Sequence, residues 1–225
     1  MTKQIRYKCL ILDHDDTAVD STASIHYPAH LEVMKQIRPK EVPVSLEGWF
    51  TKNFDPGIME FLKDELKFSE TEMQKEYDIW REYSTQKIPT FYSGFINLLN
   101  QFHAAGGIVT VVSHSDVDVI QSHYQNKAFN GTKLPHLIYG WDMDPEKRKP
   151  AAYPVNQILK TFNLQPYEAL IVDDLKPAVV MAKKSGVPVA AAGWCHQIPV
   201  IQQYMKINCD FYLDAISDLN NLIFK

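Results

Sequence analysis

Five short apolar runs, each followed by polar residues and a stretch of helical periodicity, constrain this chain more than any other feature. They cover residues 7–12 (YKCLIL), 108–112 (IVTVV), 137–139 (LIY), 169–172 (ALIV) and 187–192 (VPVAAA). Runs of this length without polar alternation, bounded by Gly or Asp, read as strands buried on both faces of a parallel sheet. Helical stretches are expected over 116–125, 151–163, 176–185 and 197–205. Strand and helix in alternation predict an α/β fold with a doubly wound, mainly parallel, Rossmann-like sheet. Ligands of such sheets bind beyond the carboxyl ends of the strands. Three of the runs end there in polar residues: Asp13-His14-Asp15, Ser113-His114-Ser115 and Asp173-Asp174.

The interval from 18 to 107 is too long for one crossover helix, and its pattern is helical throughout. Asp55-Pro56 reads as a cap and first helical position ahead of Ile58, Leu62 and Leu66. Ser69 with Glu72 three residues later reads as a capping box ahead of Met73, Tyr77 and Trp80. Phe95, Leu98, Leu99 and Phe102 form a helical stripe closed by Gly106-Gly107, feeding the second strand. The chain is therefore expected to divide into an α/β core of residues 1–19 and 89–225 and an inserted helical cap domain of residues 20–88. A length of 225 residues suits one domain carrying a modest insertion.

Composition excludes several classes. At 45% apolar and 22% charged residues the chain is not globally disordered. A net charge of -4 gives no electrostatic footprint for a nucleic-acid partner. No apolar run approaches the ~18 residues of a membrane helix, and the polar start lacks a signal-peptide core. Three cysteines without CxxC spacing indicate neither a disulfide framework nor a zinc knuckle, so a reducing, cytoplasmic setting is expected.

The strongest local signal is Asp13-His-Asp15-Asp-Thr17, an Asp-x-Asp-x-Thr at the end of a buried strand. Two carboxylates at that spacing can project into one site, one as nucleophile and the other to exchange protons. They also offer hard oxygen ligands for Mg2+. Ser113 ends the second long strand, where a hydroxyl and neighbouring backbone N–H groups can hold a phosphate oxygen. Lys149 stands before Pro150 at the start of a helical stretch, with Lys147 and Arg148 competing for its role. Adjacent carboxylates at Asp173-Asp174 are costly without a cation or donors.

Taken together, these motifs resemble those of the haloacid dehalogenase superfamily, and the chain is similar to its phosphoglycolate phosphatase-like branch with a helical cap. Asp13, Asp15 and Thr17 match the first motif, Ser113 the second, Lys149 with its proline the third, and Asp173-Asp174 the fourth. Asp16 stands where the family usually has Gly, and Ala178 where a further Asp is frequent. The resemblance implies a Mg2+-dependent phosphatase that hydrolyses a small phosphorylated metabolite through an aspartyl-phosphate. In it Asp13 is the nucleophile and Asp15 the acid and base. Thr17, Ser113, His114 and Lys149 bind phosphate, and Asp13, Asp15, Asp174 and Asp173 serve the metal. A monomer or homodimer without membrane or nucleic-acid partners is expected.

Substrate choice is expected to rest on the cap. Residues 48–53 lie between two helical stretches, where the resemblance implies a specificity loop, with Trp49 covering the site and Lys52 meeting a second anionic group. His26, with Tyr27 and His30 nearby, lies just past the first motif. Two alternatives remain at this level. A sugar phosphomutase of the superfamily places a cap histidine twelve residues after the nucleophile, where this chain has Ile25, with His26 one later. A catalytically silent binding or regulatory protein would lack at least one of Asp13, Asp15, Lys149 and Asp174, and all are present.

Overall fold

The computed structural model describes residues 4–129 and 133–225. The chain divides into two compact units, Met1–Val19 with Phe91–Lys225, and Asp20–Thr90.

The first unit is built on six strands: β1 (Cys9–Leu12), β2 (Ile108–Val112), β3 (Leu137–Tyr139), β4 (Ala169–Asp173), β5 (Val189–Ala192) and β6 (Phe211–Leu213). Their order in the sheet is β3-β2-β1-β4-β5-β6, and every neighbouring pair is parallel. The chain thus winds outward from β1 to β3, then returns to lay β4 on the other side of β1. Cys9 is in register with Ile108 on one side and with Ala169 on the other. The reversal leaves a crevice at the carboxyl ends of β1 and β4, which is where doubly wound sheets hold ligands.

Alternation along each strand sends side chains to opposite faces. Leu10, Leu12, Val109, Val111, Leu170 and Val172 share one core layer with Phe95, Leu98, Leu99 and Phe102. Those four aromatic and leucine residues are the expected stripe and lie on the helix Phe95–Ala104. Cys9, Ile11 and Ile171 face the opposite layer, formed with Val155, Ile158, Met181 and Ala182. The two layers explain why the strands carry no polar alternation, since both faces are covered. The sixth strand and the helix Ile216–Ile223 were not foreseen.

The second unit is helical, with Tyr27–Ile37, Leu46–Phe54, Ile58–Glu60 and Glu70–Gln86 as its α-helices. It has its own core of Val33, Met34, Trp49, Phe61, Leu62, Phe68 and Ile79. The capping box at Ser69 and Glu72 is formed as expected. Two expectations need correction. Residues 48–53 are not a loop: Ser45 caps the helix Leu46–Phe54 by accepting from the Gly48 N–H, and Trp49, Phe50 and Phe54 bury its apolar side. Asp55 does not cap a helix at Pro56 but ends the preceding one, its N–H donating to the Thr51 carbonyl; the next helix starts beyond Gly57.

Candidate active site

Asp13 follows β1 directly, and its N–H donates to the Val172 carbonyl of β4 at 2.9 Å. That bond ties the first acidic residue to the crevice between the two strands. The chain then turns sharply, with the N–H of Ala18 and of Val19 both reaching back to the His14 carbonyl. Asp16 takes the left-handed conformation in this turn, with φ of 57°. The family preference for Gly at this place follows from that geometry, and Asp is among the few other residues that tolerate it.

Lys149 is the centre of the charge arrangement. Its Nζ donates to Asp13 Oδ1 at 2.6 Å and to Asp173 Oδ2 at 2.8 Å, and all three side chains are buried. The competing cations are engaged elsewhere. Arg148 donates to the carbonyls of Asp142 and Met143 and stacks over Trp141, and Lys147 lies 3.5 Å from Asp144. The second oxygen of Asp173, Oδ1, accepts the Leu175 N–H at 3.0 Å. Both of its oxygens therefore serve to hold Lys149 and the following turn.

Asp174 is arranged differently. Its Oδ1 accepts from Thr17 Oγ1 at 3.4 Å, and its Oδ2 lies 3.7 Å from His196 Nε2. Ligand atoms of Asp13, Asp173 and Asp174 all lie within 4.8 Å of one another. Burial, then the charges of the neighbouring carboxylates, push Asp13 and Asp174 well above the usual carboxylate range. Burial alone would depress the Lys149 ammonium, but Asp13 and Asp173 outweigh it and hold it above the ordinary lysine value. One ammonium against this carboxylate cluster leaves negative charge in a buried place. Hard oxygen donors with uncompensated charge suit a small divalent cation.

Asp15 is half-buried and is held from the β2 side. Ser115 Oγ donates to Asp15 Oδ2 at 2.6 Å, while Ser113 Oγ stands 3.5 Å from the same atom and accepts the Ser115 N–H at 3.2 Å. Ser115 was not singled out from the sequence, although it closes the Ser-His-Ser run at the strand end. His114 turns instead to the backbone. Its Nε2 donates to the Lys149 carbonyl at 3.0 Å, and burial followed by the nearby Lys149 charge pulls its pKa down to about 4. A neutral imidazole so occupied orients the Lys149 segment.

The substrate-selecting residues expected in 20–88 have partners within their own unit. Trp49 stacks on His30 with ring centroids 4.3 Å apart, and Lys52 Nζ pairs with Glu65 at 2.5 Å. His26 Nδ1 accepts the Trp80 indole N–H at 3.1 Å.

A family model described as haloacid dehalogenase-like hydrolase matches residues 10–192. The chain is 26% identical over 168 residues to a phosphoglycolate phosphatase of Vibrio vulnificus, covering 72% of this chain and 68% of that protein. Among solved structures it is similar to a haloacid dehalogenase-like hydrolase from Streptococcus pneumoniae. The TM-score is 0.73 at 21% identity, over 95% of this chain and 96% of the other. It is likewise similar to CbbY from Rhodobacter sphaeroides, solved in complex with phosphate, with a TM-score of 0.70 at 15% identity over 95% and 96% of the two chains. Among the described residues no helix is long and apolar enough to cross a membrane.

Proposed function

This chain belongs to the haloacid dehalogenase-like hydrolases, and from that premise we propose that it is a Mg2+-dependent phosphatase of small phosphomonoesters working through an aspartyl-phosphate on Asp13. The observation that carries the reading is the buried Asp13 carboxylate at the end of the central strand, with the Lys149 ammonium 2.6 Å from one oxygen.

Asp13 attacks phosphorus in line, forming an oxygen–phosphorus bond as the bond to the leaving oxygen breaks. Asp15, held by Ser115, gives its proton to that leaving oxygen. Water then attacks the aspartyl-phosphate while Asp15 takes a proton from it, releasing inorganic phosphate and restoring both carboxyl groups. Lys149 offsets charge on the non-bridging oxygens throughout, with Ser113 and Thr17 as further donors beside them. Asp173 and His114 hold Lys149 in place. Asp13, Asp174 and the Asp15 carbonyl are the groups that would hold Mg2+, which when bound adds positive charge where the phosphoryl group carries negative charge.

The bond between His26 and Trp80 favours hydrolysis over a mutase, since it occupies the imidazole nearest to the mutase position. The test is phosphate release from a panel of phosphomonoesters, with phosphoglycolate first, by the purified chain with Mg2+. Quenched enzyme reduced with borohydride should carry homoserine at position 13. No release across the panel, or full release by Asp13→Asn, overturns the reading.

A further inference from the structure

Asp174 faces two donor sets. Beyond the acidic one, its carboxylate, Cys195 and His196 bring ligand atoms within 4.8 Å of one another. Cys195 and His196 lie on the loop after β5, and no motif of the phosphoryl-transfer reading uses them. We propose that Asp174, Cys195 and His196 form a second metal site, selective for a borderline divalent cation such as Zn2+, that competes with the phosphoryl-transfer site for Asp174.

Three observations support it. First, the chemistry of the donors differs from that of the neighbouring cluster. Thiolate, imidazole and one carboxylate suit Zn2+, whereas Mg2+ takes oxygen. Second, the spacing is close to what a tetrahedral ion needs. Bonds of the usual lengths to N, O and S put donors roughly 3.3 to 3.8 Å apart. His196 Nε2 and Asp174 Oδ2 are already at 3.7 Å. Third, there is room on this side of Asp174. A small cleft of about 10 Å³ is lined by Asp174, His196, Gly193, Gln202 and Tyr212, room for about one water-sized body such as a single ion. Gly193 keeps the loop against Tyr212, since a Cβ there would lie 2.5 Å from the ring.

Cys195 Sγ now donates to the Ala192 carbonyl at 3.2 Å. Binding replaces that bond by a metal–sulfur bond and releases the thiol proton to solvent. With Asp174 drawn to the second site, the acidic cluster loses the oxygen that Mg2+ needs. This consequence rests on the phosphatase reading; the binding itself does not.

The test is a titration of the full chain with Co2+, a spectroscopic stand-in for Zn2+. A thiolate-to-cobalt charge-transfer absorption saturating at one equivalent is expected, displaced by Zn2+ and absent in Cys195→Ser. His196→Gln should weaken Zn2+ binding by about 100-fold or more, since even the loss of an outer partner costs 10–100-fold. No such absorption in the wild type, or its retention in Cys195→Ser, overturns the site. A second arm reads Zn2+ inhibition of Mg2+-supported phosphate release, expected to be relieved by excess Mg2+ and lost in Cys195→Ser. Inhibition that persists unchanged in that variant overturns the competition for Asp174. If the chain releases no phosphate at all, the phosphatase reading fails while the cobalt titration still decides the site.

Discussion

At the scale of single residues, Lys149 carries two duties that can be separated. Its ammonium bridges Asp13 and Asp173, so it contributes to stability and, on the proposed mechanism, to charge balance at phosphorus. Removing one partner of a buried ion pair costs about 3–5 kcal/mol when the other is left charged. Lys149→Met should therefore destabilise the metal-free protein by about 3 kcal/mol at pH 8. The loss should shrink at lower pH, as a proton on the Asp13 carboxyl, already raised by burial, replaces the ammonium. Chemical denaturation at pH 8 and at the lower pH measures this, and an equal loss at both would contradict the pairing. Asp13→Asn keeps the shape of the site but removes the attacking oxygen, so turnover should fall ~10³-fold or more with the fold intact. Ser115→Ala should lower kcat and leave the folded state recognisable, because it frees Asp15 Oδ2 from its 2.6 Å donor.

Among the elements, the loops after β1, β2 and β4 decide how these side chains meet. The Ser113-His114-Ser115 run is pinned to β3 by two backbone bonds, from Ser113 N–H to the Tyr139 carbonyl and from Trp141 N–H to the Ser115 carbonyl. Gly140 lies between those anchors. A Cβ there would stand 2.5 Å from the Ser115 carbonyl oxygen and 2.8 Å from the Val117 nitrogen. Both obstacles are backbone, so the loop itself would have to move. Gly140→Ala is expected to cost about 1–3 kcal/mol, as overpacking does, and to displace Ser115 from Asp15. Thermal unfolding together with phosphate release reads both effects, and a variant unchanged in each would show that the loop has slack.

For the molecule as a whole, the acidic cluster links stability to pH and to metal. Asp13 and Asp174 have folded-state pKa values raised by burial and by their neighbours. They bind protons more tightly folded than unfolded, so the metal-free protein should lose stability as pH rises from the ordinary carboxylate range through the raised values. Lys149 acts in the other sense: its raised value adds stability at every pH below the ordinary lysine pKa and loses it only above. His30, His103 and His114, pulled down to about 4 by burial, act in the opposite sense to the carboxylates below the ordinary imidazole range, so the fall that belongs to the carboxylates is read against a variant. Asp174→Asn should flatten it and leave the metal-free protein no less stable. Mg2+ should stabilise the wild type by about 2.7 kcal/mol at a hundredfold excess over its dissociation constant, raising its melting temperature, and should do so little for Asp174→Asn. A full Mg2+ shift in that variant would remove Asp174 from the ligand set.

What the amino-acid sequence determined by itself was the architecture and the set of polar positions proposed to carry the chemistry. Strands buried on both faces have no polar alternation, and acidic or hydroxyl residues at their ends have no apolar reason to be there. Asp13, Asp15, Ser113 and the Asp173-Asp174 pair were legible as candidates for that reason, and Lys149 only through the proline that follows it in the resemblance. Pairing was decided only in three dimensions. Lys147, Arg148 and Lys149 are equivalent as a basic run, and which of them reaches Asp13 depends on the loop that turns the other two toward Asp144 and Trp141. The different duties of Asp173 and Asp174 were likewise hidden, because one is satisfied by Lys149 and the Leu175 N–H while the other faces Thr17 and His196. Ser115 and His196 escaped notice for the same cause. A residue's partner lies a hundred or more positions away along the chain for Ser115, and on a different strand end for His196. Local pattern carries no record of such contacts, which exist only once the parallel strands have brought their carboxyl ends to one edge.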